Sequence, residues 1–237
     1  MAAPPRFLLD TPLTEPGVYT LGRQESHHAA NVLRLREKDI VTLFDGAGKY
    51  GDGAIVNPDK NALTVDVFEV FREERAPISI TIASAIPKGK RWQMLVEKCT
   101  ELGVQRILPM LCGRSVVKGE GDAEKWRRWS VEAAKQSRRS YLPQIFEPMK
   151  VPEIIAWGTQ NNALALLADP AGENPRTFQE EILAAESVMV MIGPEGGFTA
   201  EEMACYDREK VGRLRLSPYV LRIETAAATA CALLMEL

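Results

Sequence analysis

MIGPEGGFTAEE, Met191 to Glu202, follows the apolar run Ser187 to Val190 and leads into a segment of helical character. A buried strand, a glycine-rich turn and a helix in that order are the mark of an open α/β sheet, where ligands collect outside the carboxyl ends of the strands. Gly193, Gly196 and Gly197 permit backbone conformations and close approaches that a side chain would block. Thr199 is placed to cap the following helix, with Glu202 completing a capping box. For the turn alone two readings stay open, a tight structural connection or a ligand loop. Phosphate suits it poorly as a ligand. No Lys-Ser or Lys-Thr follows the glycines, so this is not a P-loop. The Glu195 carboxylate would also repel a phosphate at the helix N-terminus. A neutral or cationic ligand suits it better.

A second loop, LSPYVLRIETA from Leu216 to Ala226, follows shortly after. Pro218 stiffens it. Arg222 and Glu224 are spaced to form a local ion pair, and Thr225 to cap the Ala-rich helix that closes the chain. Two such loops at neighbouring strand ends make one pocket rich in main-chain donors and acceptors. That geometry suits an adenosine-containing cofactor.

Working outward, the chain changes character near residue 73. GVYTL, DIVTLFD, YGDGAIV and ALTVDVFEV read as strands between Gly, Asp and Asn punctuation. ALTVDVFEV alternates with period two, placing Leu63, Val65 and Val67 inward, with Phe68 as a register break. Asp45-Gly46 and Gly48 mark a tight turn. Ser26 to Arg36 is expected to be a short helix with Ala29, Val32 and Leu33 on one side. These elements predict a small β-barrel over residues 1–73, with the charged Arg72 to Arg75 and then Pro77 as a linker. Residues 74–237 alternate strand and helix. ISITIASAI, VQRILPML, NALALLA, SVMVMIG and GRLRL are the strands. Helices are expected over Arg91 to Leu102 (Met94, Leu95, Cys99 and Leu102 inward, Gly103 as C-cap), over Ala123 to Arg138, and near Thr177 to Ala185, Ala200 to Val211 and Glu224 to Leu237. Alternation of this kind predicts a parallel sheet covered on both faces.

The 237 residues, 46% hydrophobic and 26% charged, have the composition of a globular protein with ample core. No apolar run reaches the roughly 20 residues of a membrane span, and MAAPPRFLLD is not a secretory signal, so a cytoplasmic location is expected. Cys99, Cys112, Cys205 and Cys231 are scattered and read as free, buried thiols. Only His27 and His28 are histidines, adjacent to one another, which argues against a histidine-based metal site. The net charge is −3, yet Arg114, Lys118, Lys125, Arg127, Arg128, Lys135, Arg138 and Arg139 crowd into one stretch. Such a stretch is either a solvated helix face or a local site for a polyanion.

GPEGGFT followed by LxLxxxxLRxETA resembles the C-terminal signature of the SPOUT-class RNA methyltransferases, and most closely the RsmE family of small-subunit ribosomal RNA uridine-N3 methyltransferases. The resemblance covers nearly the whole chain. It includes Pro5-Arg6-Phe7, HHAANVLRLREKDIVTLFDGAG from His27, PKGKRWQMLVEKCTELGVQRILP from Pro87, RSV at Arg114, RRW at Arg127 and EAAKQSRRSYLP at Glu132. The second loop departs from the family pattern at Ser217, Tyr219 and Ile223, and Arg138 stands where the family commonly has Gly. The resemblance implies a PUA-like, RNA-binding β-barrel joined to an α/β domain with a C-terminal trefoil knot. It further implies a homodimer, S-adenosyl-L-methionine as cofactor, and methylation of N3 of a uridine in 16S ribosomal RNA of the assembled small subunit. By position, Leu167, Gly193, Glu195, Gly196, Gly197, Leu216, Pro218, Leu221, Thr225 and Ala226 would line the cofactor site. Arg139 and Arg6 are the candidates to stabilise the deprotonated uracil. Two alternatives stay open: a methyltransferase for another RNA, and a non-catalytic ribosome-assembly factor.

Overall fold

The computed structural model describes residues 3–115 and 121–236, so Lys118 of the basic stretch lies outside the described residues. The chain divides into two compact units. The first is Met1–Arg75 with Ala134–Leu142; the second is Ala76–Ala133 with Pro143–Leu237.

The first unit is built on strands β1 (Arg6–Leu8), β2 (Gly17–Thr20), β3 (Ile40–Phe44), β4 (Lys49–Asn57), β5 (Thr64–Val67) and β6 (Phe71–Arg72). They pair in the order β1-β3-β4-β5-β2, with β6 also on β4. All pairs are antiparallel except β1 with β3. The alternation in β5 works as expected: Leu63, Val65 and Val67 are buried with Phe7, Leu9, Leu43 and Ile55, and Phe68 is exposed. β1 and β6 were not foreseen. Each is too short to show a period, and β6 runs into the expected linker at Arg72. The helix expected over Ser26 to Arg36 is instead α1 (Arg23–His27) followed by a π turn, His28–Val32. The wider winding of the π turn departs from the 3.6-residue period. Ala29 is buried, but Val32 and Leu33 are exposed.

Ala134–Leu142 joins this unit through its backbone. Gly48 N–H donates to the Ser140 carbonyl at 3.0 Å, and Leu142 N–H to the Gly46 carbonyl at 2.9 Å. Gly48 has φ +100°, and a Cβ there would lie 2.0 Å from Tyr141 Cζ.

The second unit carries β7 (Ser79–Ala85), β8 (Arg106–Leu111), β9 (Gln144–Ile145), β10 (Met149–Lys150), β11 (Leu164–Glu173), β12 (Ser187–Ile192) and β13 (Gly212–Leu214). Their order is β10-β8-β7-β12-β11-β13, with β9 beside β8, and every pair is parallel. Helices α2 (Lys90–Glu101), α3 (Ala123–Ser137), α4 (Val151–Gln160), α5 (Gln179–Ala184), α6 (Ala200–Arg208) and α7 (Ile223–Met235) alternate with the strands; the unit boundary falls within α3. α4 was not anticipated, although Pro152 in its first turn and Glu153, which accepts the Lys150 N–H at 2.7 Å, are helix-start signals. In α2, Trp92, Leu95, Val96 and Cys99 face inward, while Met94, expected inward, is exposed. Cys205, expected buried, is only partly so; the other three thiols are buried. Cys99 and Cys231 bring their sulfurs to 3.9 Å of each other between α2 and α7. Among the described residues no helix is long and apolar enough to cross a membrane.

Replacing Gly48 with Ala combines an unfavourable φ with a clash against Tyr141. We expect Gly48→Ala to destabilise the protein by about 2–4 kcal/mol, read as a lower urea midpoint at unchanged m-value.

Candidate functional site

β12, SVMVMI, is buried along its whole length between β7 and β11. Parallel strands deliver their carboxyl ends to one edge, so the segments after β11, β12 and β13 meet there. The turn after β12 closes with Gly197 N–H donating to the Pro194 carbonyl at 2.8 Å, Gly197 taking φ +69°. Gly193 has no space for a side chain: a Cβ would stand 2.5 Å from Cε2 of Phe198, whose ring packs edge-on against Tyr206 at 5.0 Å. The capping box forms as expected. Glu202 N–H donates to Thr199 Oγ1 at 3.2 Å, and Thr199 N–H to Glu202 Oε2 at 2.8 Å.

These segments enclose a cavity of about 340 Å³. Of the residues expected at a cofactor, Leu167, Gly193, Glu195, Gly197, Leu216, Leu221 and Ala226 line it; Gly196, Pro218 and Thr225 do not. Gly196 is turned toward Arg114, and Pro218 and Thr225 are exposed. Asp169, Phe198, Met203, Ser217 and Tyr219 join the lining. Two of the family departures, Ser217 and Tyr219, therefore lie at the cavity, and Ser217 Oγ accepts the Tyr219 N–H at 3.1 Å. Thr225 does not cap α7. It sits within the first turn, behind the N-cap Arg222. Nor do Arg222 and Glu224 pair: Arg222 is exposed, whereas Glu224 is buried with Oε2 lacking a hydrogen-bond partner.

The cavity's two carboxylates are answered from its own unit. Arg91, on α2, forms an ion pair with Glu195. Arg213 reaches Asp169 at 3.4 Å and Asp207 at 2.6 Å. Arg91 thus supplies a counterion for Glu195, the carboxylate expected to suit a neutral or cationic ligand. At this exposure such a pair contributes at most about 1 kcal/mol, and its main effect is to fix where the loop lies. Arg114 adds a further tie, Nη1 donating to the Gly196 carbonyl at 3.1 Å. Neither arginine was identified as a holder of the loop. Arg91 is 104 residues from Glu195 and Arg114 is 82 from Gly196, beyond any local pattern.

Arg6 and Arg139 come together in the first unit. The Arg6 guanidinium lies over the rings of Phe44 (5.1 Å) and Tyr50 (5.6 Å). Its Nη2 donates to Ser140 Oγ at 2.8 Å and, more weakly, to the Arg139 carbonyl at 3.4 Å. Burial, and then the charge of Arg138, lower its pKa, but a guanidinium stays protonated. Arg139 Nε stands 2.9 Å from Glu73 Oε1 without an aligned hydrogen bond, and the other Glu73 oxygen takes the Ser140 N–H. His28 packs edge-on against Phe7, and His27 is exposed. Along the basic stretch Lys125, Arg127, Arg128 and Arg138 are exposed, while Lys135 is engaged with Glu25.

Residues 74–235 match the model of an RNA methyltransferase domain, and residues 21–68 that of an RNA methyltransferase PUA domain. The protein named ribosomal RNA small subunit methyltransferase E from Aquifex aeolicus is 31% identical over 208 residues, covering 86% of this chain and 89% of that protein. Its namesake from Mycobacterium bovis is 29% identical over 233 residues, covering 94% and 88%. Among solved structures, a methyltransferase from Legionella pneumophila with bound S-adenosylmethionine superimposes with TM-score 0.89 at 27% identity, covering 99% of this chain and 98% of that one. A ribosomal RNA small subunit methyltransferase E from Neisseria gonorrhoeae, also bound to S-adenosylmethionine, gives TM-score 0.88 at 25% identity, covering 97% and 96%.

Behind the capping box, burial and then the Glu202 charge push the Cys112 thiol up to about 12. On the order of one Cys112 in ten thousand is then ionised at pH 8. Iodoacetamide at that pH should label native Cys205 and spare Cys112. Glu202→Gln removes the like charge and should shift the pH dependence of Cys112 alkylation downward, as followed by peptide mass spectrometry.

Proposed function

We propose that this chain, which belongs to the ribosomal RNA small subunit methyltransferase E family of RNA methyltransferases, uses S-adenosyl-L-methionine to methylate N3 of a uridine in 16S ribosomal RNA of the assembled small subunit. The observation that carries the reading is the convergence on one cavity of Leu167, Gly193, Glu195, Gly197, Leu216, Leu221 and Ala226, drawn from separate segments of the chain. The lining fits that cofactor. Apolar walls from Leu167, Ile192 and Leu221 suit the adenine ring, and the loops' main chain suits its polar edge. The bound cofactor would supply an activated methyl group on a sulfonium.

Uracil N3 is a weak nucleophile until it loses its proton. In this reading the Arg139 guanidinium faces the resulting negative charge, and exclusion of water strengthens that attraction. Arg6 orders the same segment through Ser140 Oγ and the Arg139 carbonyl. The barrel of residues 1–73 and the exposed cations Lys125, Arg127, Arg128 and Arg138 take the RNA backbone, while residues 74–237, with the knot of the family, hold the cofactor. The enzyme works as a cytoplasmic homodimer.

Mass-spectrometric mapping of ribosomal RNA with and without the protein tests the reading, because N3 methylation adds one methyl and blocks Watson–Crick pairing. A modified nucleoside in transfer RNA or the large subunit would point to another RNA substrate. No difference in any RNA, with no cofactor binding, would point to an assembly factor.

Arg139→Ala should lower methyl transfer to purified small subunits by on the order of 10²-fold, with cofactor affinity changed less than about twofold. Tritium transfer and equilibrium dialysis measure the two; near-normal turnover would remove Arg139 from the chemistry. RNA binding should weaken steeply with salt.

A further inference from the structure

We propose that Arg114 couples RNA binding to cofactor binding, holding the first loop with one guanidinium nitrogen and a backbone phosphate with the others. The proposal rests on the reading above of the cavity's ligand and of RNA as substrate.

The geometry behind it lies wholly within the second unit. β8 ends at Leu111, and the turn Cys112 to Ser115 follows, drawn tight by Cys112 N–H donating to Ser115 Oγ at 3.2 Å and Ser115 N–H to the Cys112 carbonyl at 3.0 Å. Glu202 welds that turn to the cofactor loop. Its Oε2 accepts the Thr199 N–H and its Oε1 the Gly113 N–H, both at 2.8 Å. The approach is close enough that a Cβ on Gly113 would lie 2.8 Å from Thr199 Cγ2. Arg114 stands on this rigid base and reaches the Gly196 carbonyl. Gly196 itself does not line the cavity, but its neighbours Glu195 and Gly197 do. The Arg114 side chain is exposed.

A guanidinium has five donors in a fixed planar fork. The Gly196 carbonyl takes one, and a phosphate accepts two more in parallel. Ordering a long arginine costs rotamer entropy. A phosphate on the free edge of the guanidinium holds the side chain in the rotamer that bonds Gly196, and the bond to Gly196 holds it in the rotamer that meets the phosphate, so each contact lowers the ordering cost of the other. Binding at the two places is therefore positively cooperative, and the coupling is reciprocal. Glu202 differs in kind. It ties backbone to backbone in either case, so it positions the turn without sensing the RNA.

Equilibrium dialysis of radiolabelled S-adenosylhomocysteine, with and without saturating unmethylated small ribosomal subunits, tests this. Wild type should bind the nucleoside roughly tenfold more tightly when subunits are present. Arg114→Ala should bind each ligand alone but lose the enhancement to within about twofold of none. Arg114→Lys keeps the charge without the fork, so it should keep subunit affinity and lose most of the enhancement. Arg128→Ala, an exposed α3 residue with no bond to the loop, should weaken subunit binding and leave the enhancement intact. Full enhancement in Arg114→Ala, or none in wild type that binds both ligands, would overturn the proposal. Failure of wild type to bind S-adenosylhomocysteine, or to bind subunits, would instead overturn the reading on which it rests.

Discussion

The fully buried strand β12 is the constraint on which the second unit turns. Its six residues are all buried, so it must be flanked on both edges and covered on both faces. With β7 on one side and β11 on the other, all parallel, the chain has to return to the same end of the sheet after every strand. Loops far apart in sequence are thereby forced into contact at the carboxyl edge. The cavity is a by-product of that requirement. The glycines after β12 are what let the chain turn there without filling the space with side chains.

The first unit rests on a different device. Arg6 lays its cation over two aromatic rings and donates a hydrogen bond to Ser140. Glu73 then collects the Ser140 N–H and the Arg139 side chain. A cation–π contact of a partly desolvated arginine contributes about 1–2 kcal/mol, and a charge-assisted hydrogen bond about as much again. These contacts fix the backbone of the segment that presents Arg138 and Arg139.

What could be read from the sequence followed the range of the interaction. Local signals were legible: the period of β5, the capping box Thr199–Glu202, the apolar run of β12 and Gly103 after α2 all act within a few residues. The cavity was legible because its walls are short motifs with their own glycine and proline chemistry. The misses have physical causes. The π turn broke the 3.6 period, so Val32 and Leu33 were assigned to the wrong side. β1 and β6 are too short to alternate. Thr225 looked like a cap because threonine is a good one, yet α7 begins earlier, at Ile223. Arg91 and Arg114 went unrecognised as holders of the loop because an ion pair or a side chain–carbonyl bond across 80 or more residues leaves no mark on the sequence around either partner.

The attachment of Ala134–Leu142 to the first unit also bears on how such a protein can be inherited. A gene fragment ending after Arg75 would encode the strands but neither Arg139 nor Ser140, leaving the Arg6 guanidinium without its hydrogen-bond acceptors and both Glu73 oxygens without their partners. Recombination that swapped only the N-terminal portion would have to supply a compatible helix end from another chain. A transplanted N-terminal unit would therefore need those nine residues of backbone as well, even though each unit has a core of its own.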